Sequence, residues 1–192
     1  MARGDARQRL LDAVIEHVAE HGISDLSLRE LAAAIGTSHR MLIHHFGGKD
    51  GLRVAVVREV EQRQRAALAT LVLDPPLALD EAMRAWWRHI SDPALWPNER
   101  LFFELYGVAL QGRPGAVELL DGIVDAWLDP AAQSLEAYGV PDPRAVARLG
   151  IAVTRGLLLD LLATGDREGV DAAMEAHIAA VTRLATAPRS PR

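Results

Sequence analysis

Residues 27–52 read Ser27-Leu28-Arg29-Glu30-Leu31-Ala32-Ala33-Ala34-Ile35-Gly36-Thr37-Ser38-His39-Arg40-Met41-Leu42-Ile43-His44-His45-Phe46-Gly47-Gly48-Lys49-Asp50-Gly51-Leu52. Ser27 followed three residues later by Glu30 is a capping-box pattern, in which hydroxyl and carboxylate each satisfy a backbone N–H at a helix start. The helix it opens turns Leu31, Ala32 and Ile35 inward and ends at Gly36. Thr37 or Ser38 can cap the next short helix, which ends at Phe46-Gly47-Gly48. Two short helices joined by a glycine-containing turn are a helix-turn-helix candidate. At about 100° per residue, Phe46 and Ser38 fall within about 40° of Leu42 and face back onto the first helices. Arg40 and His44 point the other way, with Met41 and Ile43 on the flanks. A cationic outward face suits the DNA major groove, which admits one helix and offers acceptors on guanine. The Thr37 and Ser38 hydroxyls at one end and the Lys49 ammonium at the other can clamp phosphates.

The rest of the chain is also predicted to be helical. Leu10, Leu11, Val14, Ile15 and Val18 repeat at helical spacing, and that run stops at Gly22. A longer helix, from about residue 50 to 71, carries Leu52, Val56, Val60 and Leu68. Pro75-Pro76 breaks the chain. Further helices are expected at 79–91, 97–111, 114–138 (interrupted near Pro130), 142–164 and 166–186, with a loose tail at 188–192. The longest apolar stretch, Leu149 to Ala163, contains Arg155 and Asp160 and is too short to span a membrane. The expectation is an all-α protein of about nine helices. It divides into a head at residues 1–50, joined through the helix at 50–71, and a larger domain at 51–187.

Composition narrows the function. With 192 residues and 49% hydrophobic content, the chain can bury roughly 70% of its unfolded surface, which excludes a disordered tail protein. There is no cysteine, so thiol catalysis, disulfides and cysteine-ligated zinc are ruled out. The charged start, Met1 to Arg7, has no signal-peptide pattern, and a cytoplasmic, nucleoid-associated protein is expected. The net charge of -5 argues against a nucleic-acid binder until it is divided along the chain. Residues 1–65 hold ten Lys/Arg against nine Asp/Glu, and the remainder eleven against seventeen. Only the first third can approach a polyanion without strong repulsion. His17 and His21 are spaced to chelate, though a partly exposed helix flank is the more ordinary reading, and His44-His45 diverge by about 100° with no acidic partner at ligand spacing. No catalytic residue, metal or cofactor is expected.

The pattern Ser27-x3-Leu31-Ala32-x3-Gly36-Thr37-Ser38-x3-Leu42-x2-His45-Phe46-x2-Lys49-Asp50-x-Leu52 resembles the N-terminal signature of the TetR family of bacterial transcriptional regulators. Beyond about residue 65 the resemblance is architectural only. It implies a homodimer that binds a double-stranded DNA operator and answers to a small-molecule effector, usually as a repressor. Ser27, Thr37, Ser38, His39, Arg40, Met41, Ile43, His44, His45 and Lys49 are the candidate DNA-binding residues. Two positions depart from the family pattern, Arg40 where it has glycine and Ile43 where it has a phosphate-contacting tyrosine.

Six of the nine aromatic residues fall between Trp86 and Tyr106. They read either as a well-filled core or as the wall of a cavity, since ligand pockets are mainly apolar and aromatic. Met83, Trp86, Trp87, Phe103, Tyr106, Trp127 and Leu157 are the candidate ligand-binding residues, chosen by helical face and bulk. The segment 149–162 is apolar around most of its circumference and needs cover on more than one side. The resemblance implies that the last two helices build the dimer, with Gly150, Val153, Gly156, Leu157, Met174, Ile178 and Val181 as candidates. Two other readings stay open. One is an enzyme or carrier with a vestigial head; the other is a structural or partner-binding helical protein.

Overall fold

The structure, a computed structural model, describes residues 2–21, 27–73 and 77–186. Among them are nine α-helices: α1 (Ala2–His21), α2 (Leu28–Ala34), α3 (His39–Phe46), α4 (Lys49–Leu73), α5 (Leu79–Ile90), α6 (Trp96–Leu110), α7 (Asp125–Ala137), α8 (Pro143–Thr164) and α9 (Arg167–Thr186). Two 3-10 turns, Pro93–Leu95 and Val117–Leu120, complete the described elements. The fold is all-α, with an N-terminal helix-turn-helix followed by a helical domain. The expected stop at Gly22, the break at Pro75-Pro76 and the tail at 188–192 lie outside the described residues.

One expected helix differs. The segment 114–138 does not break at Pro130; α7 runs through that proline. The interruption comes earlier, where Gly112, Gly115 and Gly122 adopt left-handed φ of 69°, 84° and 70° and leave only a 3-10 turn between them.

The chain packs as two compact units, drawn along a different line from the division at residue 50. The first comprises Met1–Gln64 and Pro93–Asp121, the second Arg65–Asp92 and Gly122–Arg192. In the first unit, Leu11, Val14 and Val18 of α1, Leu31 of α2, Leu42 of α3, Leu52 and Val56 of α4, and Leu101 and Leu105 of α6 are all buried. The spacing of these leucines and valines gives each helix one apolar stripe, and the stripes close a common core. In the second unit α8 packs against α7 and α9, and α9 also meets α5. Leu128, Leu158, Leu161, Val170, Met174 and Ile178 fill that core. Leu79, Val140 and Val181 form a further cluster, backed by Met83 and Tyr138. Polar ties fix α5 to α9: the Trp87 indole N–H donates to Asp171 (2.6 Å), and Arg167 donates to the Ser91 carbonyl at the end of α5 (2.5 Å).

Candidate nucleic-acid interface

The head is assembled by local hydrogen bonds that the sequence spells out. The Glu30 N–H donates to Ser27 Oγ (3.3 Å), and the Ser27 N–H donates to Glu30 Oε2 (2.8 Å), which completes the capping box of α2. These bonds, with a smaller contribution from the charge of Lys49, hold the Glu30 carboxyl below the usual carboxylate range. At the other end of α2 the Thr37 N–H donates to the Ala32 carbonyl (2.8 Å), a reversal made possible by Gly36 at φ 69°. Ser38 then caps α3, its Oγ accepting from the Met41 N–H (3.2 Å). Ser27 and Ser38 therefore use their hydroxyl oxygens as acceptors at the two helix starts.

Eight residues long, α3 is sharply two-sided. Leu42 and Phe46 are buried. Arg40 and His44 are exposed, and so are Met41 (39%) and Ile43 (43%), unusual for side chains of that size and apolarity. His39, His45 and Lys49 are half-buried. The His44 and His45 rings meet edge to face with centroids 4.9 Å apart. The expected outward face is thus formed by Arg40, Met41, Ile43 and His44, on either side of buried Leu42. Thr37 and Ser38 stand before it, and Lys49 follows at the start of α4.

Three supports of this face carry no sequence motif. The Arg7 guanidinium of α1 lies over the Phe46 ring, 5.1 Å from its centroid. Gly51 is a close approach: a Cβ there would stand 2.1 Å from the Phe46 carbonyl oxygen, so only glycine lets α4 start this near the end of α3. The first half of α4 is also tied to the α6 region. Arg53 pairs with Glu104, Arg58 donates to the Glu118 carbonyl (2.6 Å), and Gly115 sits against Asp50. Contacts across 51 to 60 residues leave no periodic trace in sequence.

The candidate ligand residues divide between the units. In the second, Trp86 and Trp127 touch with ring centroids 5.5 Å apart, Trp86 also meets His89, and the Arg65 guanidinium lies over Trp127. Trp87 and Met83 in that unit are built into packing between α5 and its neighbours, and Leu157 is half-buried. In the first unit Tyr106 stacks on Phe102 (5.6 Å, 13°) and Phe103 meets Phe102 edge to face. The candidate dimer residues divide as well. Met174, Ile178 and Val181 are buried in the second unit's own core, because that stripe of α9 faces α5 and α8. Gly156 is exposed, and Gly150, Val153 and Leu157 are half-buried. The large apolar side chains that α8 and α9 leave exposed are Leu149, Leu159 and Leu184.

The family profile described as bacterial regulatory proteins, tetR family, matches residues 10–56, and the one described as tetracyclin repressor-like, C-terminal domain, matches residues 98–186. The HTH-type transcriptional regulatory protein RaaS of Mycobacterium tuberculosis is 29% identical over 166 residues, covering 79% of this chain and 68% of that protein. The HTH-type transcriptional repressor AcnR of Corynebacterium glutamicum is 38% identical over 107 residues, with 53% of this chain and 52% of the relative covered. The chain thus spans about two thirds of the first relative and about half of the second. Among solved structures, a transcriptional regulator from Rhodococcus superposes with a TM-score of 0.76 at 22% identity, over 95% of this chain and 99% of the other. A TetR-family regulator from Streptomyces coelicolor gives 0.70 at 24% identity, over 94% and 95%. No helix among the described residues is long and apolar enough to cross a membrane. With the head and the C-terminal domain both matched, and the helix order reproduced along nearly the whole chain, this protein belongs to the TetR family of bacterial transcriptional regulators.

Proposed function

We propose that the protein is a homodimeric repressor that binds a palindromic operator and releases it when an apolar or aromatic small molecule binds. The observation that carries the reading is the two-sided α3: Leu42 and Phe46 lock it to the head, and Arg40, Met41, Ile43 and His44 are offered outward. Helix N–H groups behind the Ser38 cap and the Lys49 ammonium supply phosphate contacts at its two ends. Arg40 forks onto guanine, and Ile43 covers a thymine methyl or a sugar. A chromosomal operator places the protein in the cytoplasm, on the nucleoid.

Two-fold symmetry comes from α8 and α9. On α8, Leu149, Ala152, Gly156 and Leu159 follow one another at spacings of three and four and are exposed; on α9, Ala176, Ala180 and Leu184 do the same. Pairing this face with its copy forms a four-helix interface around small residues. The aromatic side chains of α6, where Tyr106 stacks on Phe102, supply the effector's surroundings. Fluorescence anisotropy with duplex DNA from upstream of the protein's own gene tests the reading. Saturable binding that collapses when one half-site is scrambled is expected. Equal affinity for intact and scrambled duplexes overturns it.

A further inference from the structure

Between α4 and α6, within the first unit, lies a void of about 10 Å³ walled by Val56, Val57 and Phe102 and carrying four polar side chains, Glu61, Gln64, Asn98 and Glu99. It belongs to a wider depression of about 240 Å³ that includes open solvent. Gln64, Asn98 and Glu99 are only 5%, 7% and 5% exposed. The Gln64 side-chain N–H donates to Glu99 Oε1 (2.5 Å) across the two helices. Asn98 Oδ1 is buried with no hydrogen-bond partner. An orphaned buried acceptor is costly, and folded proteins place one where a water, an ion or a ligand completes it.

We propose that this void is the seat for a protonated amine, the polar end of the effector. The proposal rests on the ligand-responsive reading above and names the chemical class that reading leaves open. Three features of the seat select the class. Its size admits one water-sized group, which an ammonium nitrogen matches and a trimethylammonium does not. Its unsatisfied atom is an acceptor, so the guest must donate. The adjoining Glu99 carboxylate favours a cation over a neutral donor and repels an anion, because a charge is buried at low cost only beside its counter-charge. The amine donates to Asn98 Oδ1 and to Glu99, while its first carbons lie against Val56, Val57 and Phe102. The guest thereby bridges α6 to α4, and α4 begins three residues after α3 ends. Binding shifts DNA affinity only as far as the amine prefers one α4–α6 spacing over the other, and DNA weakens the amine by the same factor.

The test uses the full chain and methylammonium chloride as the probe, with tetramethylammonium chloride and sodium chloride at equal ionic strength and methanol as the neutral donor. Methylammonium alone should raise the thermal midpoint by about 2–4 °C at several times its Kd. Asn98→Leu, which removes the orphaned acceptor, should abolish that selectivity while keeping or raising the midpoint itself. Glu99→Gln should reduce methylammonium to the level of methanol. If methylammonium acts no differently from tetramethylammonium, or if its advantage survives in Asn98→Leu, the seat holds only water and the proposal is overturned. Operator binding measured without amine is a separate readout. A chain that binds DNA and ignores amines overturns only this proposal, and one that takes the amine but never binds DNA overturns only the proposed function.

Discussion

Arg40 stands where the TetR pattern has glycine, and Ile43 where it has tyrosine, so under the proposed function this head offers an operator a different set of atoms. A guanidinium supplies a planar five-donor fork that bare backbone lacks, and an isoleucine cannot donate to phosphate. Arg40→Ala should therefore change base preference, costing about 1–3 kcal/mol at the preferred site. Lys49→Ala should weaken binding to every sequence alike and lower the log-log salt slope by about 0.9, the signature of one lost phosphate contact. Binding isotherms on a panel of single-base operator variants at several salt concentrations separate the two. Identical losses across the panel for both variants would reduce Arg40 to a phosphate anchor. Gly51 makes a different kind of demand. A methyl at 2.1 Å from the Phe46 carbonyl oxygen forces α3 and α4 apart, so Gly51→Ala should cost about 1–3 kcal/mol in urea unfolding and loosen the Arg7–Phe46 contact with it.

Among the elements, legibility followed the range of the interaction. The ends of α2 and α3 were readable because their capping groups lie within three residues of the N–H groups they satisfy, as Ser27 with Glu30 and Ser38 with Met41 do. The break at Gly112 was readable, but residues 114–124 read as helix, because Gly115 and Gly122 look alike in sequence whether they end a helix or merely sit in one; left-handed φ settles it. The ties of α4 to the α6 region, through Arg53, Arg58 and Asp50, join parts of the chain whose separation no periodicity encodes. The α2 capping box also sets a pH dependence. Glu30 has its pKa lowered in the folded state by the Ser27 hydrogen bonds, so the contribution is whole above the ordinary carboxylate range and is lost as pH falls through the folded value. Ser27→Ala should cost about 1 kcal/mol near neutrality. In acid the gap between variant and parent should narrow by the carboxylate's share and keep the part owed to the Glu30 N–H bond to Ser27 Oγ, which chemical denaturation at a series of pH values will show. A constant gap down to the acid limit would mean that the cap does not depend on the carboxylate.

At the scale of the molecule, the charge that looks wrong for a DNA-binding protein is distributed along the chain so that binding remains possible. The first 65 residues are close to neutral, and the excess of acid lies in the remainder. The apolar faces of α8 and α9 are distributed in a comparable way, and here the sequence misleads. Met174, Ile178 and Val181 form the obvious stripe of α9, but that stripe is spent on α5 and α8 of the same chain. Burial alone separates it from the quieter face of Leu149, Ala152, Gly156 and Leu159 with Ala176, Ala180 and Leu184, which is exposed. The two faces should respond oppositely to substitution. Met174→Ala opens a hole in the core and should cost about 2–5 kcal/mol of stability without changing how dimers associate once folded. Leu159→Glu combined with Ala176→Glu adds charge where no core is disturbed; the chain should keep its helical circular dichroism and sediment as a monomer. Its operator affinity should then fall by about 10²–10⁴, because the second head no longer binds as an intramolecular event. A double variant that still sediments as a dimer, or a monomer that grips the palindrome as tightly as the parent, would show that the two-fold axis lies elsewhere.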